Sequence, residues 1–179
     1  MQSTELARGA IEGAYFLIGA AEFVWYLDQE GIIRGQGSEY TDAVRELLRA
    51  VRDVDLGDHI ASRILPSALL DSETEGGSYF AARREAFQYI ERVTETLDTV
   101  DALVLPTLRT QPPGFGEMES AEDMLALLGN TAPFNLARVP AVSVPVGTVK
   151  GAPVAAQVVG SQFSDLQTLA IAEQLPRID

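Results

Sequence analysis

The alternation of apolar and polar positions divides the chain into a helical first half and a second half of strands and loops. Between residues 4 and 30, Ala10, Ala14, Leu17, Ile18, Ala21, Val24 and Trp25 recur at spacings of three and four, the period of a helix. That stretch is apolar around most of its circumference, so other elements are expected to cover it. Gly31, Gly35 and Gly37 then break the pattern. A second helix is predicted from Thr41 to Arg52, with Val44, Leu47, Leu48 and Val51 on one stripe and Asp42, Arg45, Arg49 and Arg52 off it. The signal from Leu56 to Leu70 is weaker and predicts a short helix ending near Pro66. The third helix is the most regular. Ser78 can cap it just after Gly76 and Gly77; Phe87, Ile90, Val93 and Leu97 face inward. Its solvated face is Arg84, Gln88, Glu91, Glu95 and Asp98.

Beyond residue 100 the pattern changes. DALVLPT, residues 101–107, is a continuous apolar run ended by proline and predicts a buried strand. LRTQPPGFGE is rich in Pro and Gly and predicts a loop. Residues 119–129 predict a short helix through Met124, Leu127 and Leu128. The last helix starts at SDLQTLAIAEQL, where Ser164 and Gln167 stand in capping-box positions, and stops at Pro176.

The valine-rich stretch NLARVPAVSVPVGTVKGAPVAAQVVG, residues 135–160, has strand character yet carries residues that strands avoid. AVSVPVGTV and PVAAQVVG predict two strands joined around Lys150 and Gly151, where glycine suits a tight hairpin turn. Pro145 and Pro153 cannot donate to a ladder, so each belongs at a strand end, an edge or a bulge. Gly147 and Gly160 predict a bend or the close approach of another backbone. A buried Gln157 would need partners for its amide, which a neighbouring main chain can supply. Asn135, five residues before Pro140, is expected to fix the loop leading into the strands by bonding main-chain groups.

Composition narrows the function classes. At 179 residues, 46% of them hydrophobic, the chain can bury a sizeable core in one domain. With no cysteine, zinc-type and redox spacings are excluded. The formal net charge is −13, and of the 13 basic residues only Lys150 is lysine, the other 12 being arginine. Such an acidic, lysine-poor surface fits a protein working in high salt, where screening removes most self-repulsion. It presents no basic stripe for nucleic acid. GAYFLIGAA, bounded by Glu12 and Glu22, is too short to span a bilayer, and MQSTELARGA lacks the pattern of a targeting signal. The expectation is a cytoplasmic protein with no membrane partner.

The spaced residues Asn135, Pro140, Ala141, Ser143, Pro145, Gly147, Gly151, Pro153, Gln157, Gly160, Phe163 and Asp165 resemble the C-terminal signature of the amidase signature family. Upstream, YFAARREAFQYIERV followed by DALVLPT is similar to the family's helix and strand leading into its Pro-Thr motif, here Pro106 and Thr107. The likeness runs in order from about Tyr79 to Leu175. It implies an α/β fold, the C-terminal part of a mixed β-sheet flanked by helices. Residues 1–179 would form a single partial amidase domain, mainly helical over 1–100, with strands, loop and C-terminal helix over 101–179. The resemblance also implies hydrolysis of amides by a serine nucleophile, a bridging serine and a lysine base, with backbone amides as the oxyanion hole. Two positions depart from it: the family favours glycine where this chain has Arg138, and near Ala155.

The machinery of that reaction is not in the sequence. No Gly-Gly-Ser-Ser-Gly run exists, and GGSY at 76–79 reads as a helix cap. Lys150 falls in the predicted turn, whereas a lysine base needs burial to lower its pKa. Ser143 reads as a strand serine bonded to neighbouring backbone. The sole histidine, His59, reads as a surface or helix-end residue, and Glu73 with Glu75 as solvated loop carboxylates. No catalytic residue, cofactor site or metal site is therefore assigned. One reading is a fragment of an amidase-type hydrolase, inactive alone, whose partner would be a separately encoded N-terminal amidase portion. A small amide substrate would enter only the completed enzyme. The resemblance implies carboxamide hydrolysis, or ammonia release from glutamine in a tRNA-dependent amidotransferase. The alternative is a non-catalytic remnant or binding module built on the same scaffold.

Overall fold

The computed structural model describes residues 9–28, 66, 69–70, 72–114, 116–117 and 121–176. The expected helix over 41–52, the glycines at 31, 35 and 37 and His59 lie outside the described residues. The element order is α1 (Gly9–Asp28), α2 (Gly77–Leu97), β1 (Leu103–Pro106), α3 (Ala121–Leu128), α4 (Ala132–Ala137), β2 (Ala141–Val149), β3 (Ala152–Val159) and α5 (Asp165–Ala172). The chain divides into two compact units, residues 1–15 with 84–179 and residues 16–83. The three strands found among the described residues belong to the first.

In α1, Ile11, Ala14, Ile18 and Ala20 are buried. Cover stops towards its end, where Trp25 is 63% exposed, contrary to the expectation of a helix covered all round. Residues 66, 69 and 70 are helical, so helical conformation is found beyond Pro66, where a stop was expected. Helix α2 begins one residue before Ser78. The hydroxyl that accepts the Ser78 N–H is that of Thr74, at 3.1 Å, so the capping side chain precedes the two glycines. The buried stripe of α2 is Ala82, Ala86, Tyr89, Val93 and Leu97, at spacings of four and three. Phe87 was expected inward and is 59% exposed; the polar face through Arg84, Gln88, Glu91, Glu95 and Asp98 is as expected.

Among the described residues the sheet has the order β1-β3-β2 with antiparallel pairing, and with its flanking helices it is the α/β arrangement expected. Lys150 and Gly151 both have positive φ, +52° and +81°, the geometry of a two-residue primed turn that follows strand twist. β1 is an edge strand of this sheet, and Val104 is half exposed, so it is not the buried strand its composition predicts. Central β3 is covered on both sides: the neighbours Val158 and Val159 point to opposite faces and both are 0% exposed. Val158, Val144 and Ala172 form the core under α5, joined by Val142, Val146, Ile171 and Leu175.

The register explains the prolines. Ala155 carbonyl accepts the Thr107 N–H at 2.9 Å, so Ala155 directs its main chain towards β1. Pro145, paired with Ala155 across β2, thus faces no ladder acceptor on that side, and the missing amide removes no bond. A bulge follows at once, between Pro145 and Gly147. Pro153 stands beyond the reach of β1, which ends at Pro106 opposite Ala156. It is one pair inside the hairpin turn, at a non-hydrogen-bonded position.

α4 was not expected; its last three residues, 135–137, opened the stretch read as having strand character. Pro133 in its first turn and a left-handed residue after Ala137 define it locally. α5 begins after Ser164, as predicted, but no capping box forms. Ser164 Oγ instead donates to Ser161 carbonyl at 2.7 Å, and Gln167 is exposed. The helix ends at Ala172, short of Pro176.

Candidate functional site

The polar groups of the first unit converge on the face of the sheet opposite α5. Thr107 follows β1, Ser143 lies on β2, and Gln157 lies between them on β3, paired with Leu105 on one side and Ser143 on the other. A period of two puts Ser143, Gln157 and Leu105 on one face and Val144 and Val158 on the other. Thr107 Oγ1 and Ser143 Oγ are 2.8 Å apart, so the strand serine bonds a side chain and not the backbone it was expected to meet.

Gln157 is 4% exposed, and its Nε2 donates to Asn130 carbonyl at 3.0 Å. A main-chain partner for a buried glutamine is what the sequence required. Asn130, 3% exposed in the turn between α3 and α4, is the organising residue. Its Nδ2 donates to Pro106 carbonyl at 2.8 Å, and its Oδ1 accepts from Arg109 Nε at 3.2 Å. Arg109 also donates to Gly129 carbonyl at 2.9 Å and pairs with Glu12 in the first turn of α1. The chain of contacts therefore runs from Glu12 through Arg109 and Asn130 to Gln157 and to the end of β1.

Asn135 does not perform the role expected of it. It is exposed on α4, and among the described residues its side chain has no hydrogen-bond partner. The residue that bonds main-chain groups is Asn130. Its role rests on bringing together Pro106, 24 positions away, and Gln157, 27 positions away, which no local pattern records. The only local sign was Gly129-Asn130-Thr131 at a helix end.

Arg138 closes α4 with φ +55° and ψ +41°, a left-handed position that disfavours any side chain by roughly 1–2 kcal/mol. A glycine preference at that position has this physical reason. Ala155 is half-buried opposite Pro145, and nothing there requires glycine. Lys150 is exposed on its turn, and Glu73 and Glu75 are exposed. GGSY at 76–79 lies in the turn and first residues of α2. Among the described residues no group of acidic or imidazole side chains could hold a metal ion. No helix of the described residues is long and apolar enough to cross a membrane.

The family model for Amidase matches residues 4–169, and the chain belongs to that family. Its strand-and-helix arrangement is the amidase fold. It is 35% identical over 154 residues to the A subunit of glutamyl-tRNA(Gln) amidotransferase from Archaeoglobus fulgidus, covering 85% of this chain and 34% of that protein. To the corresponding protein of Halobacterium salinarum it is 32% identical over 155 residues, covering 85% of this chain and 37% of that one. The crystal structure of the Thermotoga maritima counterpart superposes with a TM-score of 0.53 at 25% identity, over 89% of this chain and 33% of that one. The chain thus spans about a third of the length of the relatives it matches.

Proposed function

We propose that this chain is the C-terminal portion of an amidase-type hydrolase and releases no ammonia from an amide by itself. Its part in the completed enzyme is to supply three strands and one wall of the amide pocket, formed by Thr107, Ser143 and the Asn130–Gln157 bracket behind them. One observation carries the reading. The family match covers nearly the whole chain, yet the one lysine of the sequence, Lys150, is exposed on a hairpin turn. Exposed there, it is not the buried lysine that a serine nucleophile needs as its base. The substrate class is a carboxamide, with glutamine the first to try because the relatives are amidotransferase subunits. The protein's partner is an N-terminal amidase portion; its −13 charge offers nothing to nucleic acid, and its place is the cytoplasm.

Apolar exposure supports a portion over an adapted binding module. Phe163 is 97% exposed, Leu166 84%, Phe80 71% and Trp25 63%. A module adapted to work alone would carry polar residues at such places. The test is ammonia release from glutamine and from simple carboxamides. The chain alone should give none above background. Co-expression with the remaining part of the Archaeoglobus fulgidus protein should give a co-purifying pair that does. Ammonia release by the purified chain alone would sink the proposal.

The charge supports a second, separate expectation about conditions. Screening shortens from about 8 Å at 0.15 M salt to about 3 Å at 1 M. For an ordinary acidic protein the melting temperature levels off above physiological salt. For this chain it should keep climbing up to molar sodium chloride. A flat profile in thermal melts refutes adaptation to high salt and leaves the family reading untouched.

A further inference from the structure

Arg109 combines features that a surface arginine does not need. Its guanidinium lies against Gly129 so closely that a Cβ there would overlap it, 2.7 Å from Nε. It donates Nε to the Asn130 side chain and an NH2 hydrogen to Gly129 carbonyl, so two faces of its planar fork are used on one turn. The remaining contact is Glu12, whose side chain is only 13% accessible, 97 positions earlier in the chain. Among the described residues Glu12 is its charged partner. Lysine could hold Glu12 equally well as a point charge, but it has no fork to hold the turn at the same time.

We infer that Arg109 is a positioning residue that sets the orientation of the Asn130 amide, and through it the Gln157 amide and the end of β1. Asn130 Oδ1 can accept from Arg109 only if Nδ2 points to Pro106 carbonyl. A guanidinium donates and never accepts, so it selects that amide rotamer over its flipped form. The fixed turn then presents Asn130 carbonyl to Gln157. Glu12 aims the guanidinium, which couples the first turn of α1 to the polar face of the sheet. This inference is independent of the hydrolytic role, because it concerns only which way three side chains point.

The test is an NMR measurement on the whole chain, reading the side-chain amide signals of Asn130 and Gln157. In the wild-type protein both pairs should be dispersed and slow to exchange with solvent. In Arg109→Met both should move towards free-amide positions and exchange at least about tenfold faster, as one lost charge-assisted bond predicts. Arg109→Lys is the decisive variant, because it keeps the charge opposite Glu12. It should lose the Asn130 and Gln157 signatures while the Glu12 backbone amide stays as in the wild type. If Arg109→Lys leaves both side-chain amides at their wild-type positions, Arg109 is only a tether for α1 and the inference is overturned. Movement of the Glu12 region alone in Arg109→Met overturns it equally.

Discussion

Replacing Gly160 by alanine should lower the melting temperature by roughly 3–10 °C, from an overpacking penalty of about 1–3 kcal/mol in a chain of this size. Gly160 follows β3, and its N–H donates to Pro140 carbonyl at 3.0 Å, just ahead of β2. A Cβ at this position would overlap Thr168 Oγ1 outright and stand 2.6 Å from Ser164 Oγ and 3.2 Å from Thr168 Cβ. Thr168 cannot swing aside. It is 1% exposed, and its hydroxyl donates to Ser164 carbonyl at 2.9 Å. Relief requires α5 to lift, which draws Ala172 away from Val144 and Val158. The cause is checked by a double-mutant cycle with Thr168→Ala, followed by thermal unfolding. The summed losses of the two single variants should exceed that of the double variant, because the second change removes the nearest atom the first one meets. Additive losses would mean that the strain arises in the backbone at Gly160 and not in the contact with α5.

That contact also shows why one feature was legible and another was not. A glycine closing a valine-rich strand announces a close approach, and the approach is there. The capping box at Ser164 and Gln167 was equally clear as a pattern and does not form. With Thr168 wedged against Gly160, Ser164 Oγ lies 3.3 Å from Thr168 Oγ1 and turns back to Ser161 carbonyl. Tertiary contact has displaced a local motif of smaller energy. On α2, Val93 and Leu97 are buried as expected, but Phe87 is not. Phe87 and Tyr89 are two positions apart, nearly opposite on a helix, and either could mark the core. Small Ala82 and Ala86 decide it for Tyr89, because only they allow close packing along that stripe.

Strand limits were readable where turn chemistry and side-chain period agreed, as they do on either side of Lys150 and Gly151. β1 was readable as a strand but not as an edge, since a run of Leu and Val says nothing about how many neighbours it has. The candidate site divides in the same way. Ser143 and Gln157 stood out because polar residues among valines need a reason. Asn130 and Arg109 did not, because polar residues in Gly- and Pro-rich connections are ordinary. Their importance comes from the long-range geometry that sets Asn130 against Pro106 and Gln157.

The largest single-residue effect is expected at Gln157, replaced by glutamate. The change preserves size and puts a carboxylate oxygen where Nε2 now donates to Asn130 carbonyl. At pH 7 two acceptors would face each other at a position 4% exposed, and the uncompensated buried charge should remove about 3–5 kcal/mol of stability. Protonated, the same carboxyl can donate its O–H to that carbonyl and restore the bond. Burial and the lost donor both favour the neutral acid, so the folded-state pKa of the introduced group rises above its unfolded value of about 4.3. The sign follows by linkage. The folded state holds the proton more tightly, so the variant approaches wild-type stability as pH falls below both values. It loses stability as pH rises towards the elevated folded-state pKa. Urea unfolding of both proteins between pH 5.5 and 8 should show their midpoints diverging with rising pH. Because the wild-type glutamine does not titrate, the divergence isolates the new carboxyl. A constant gap across that range would mean that the side chain leaves the sheet for water, and that the Asn130–Gln157 bracket is weaker than its burial and geometry indicate.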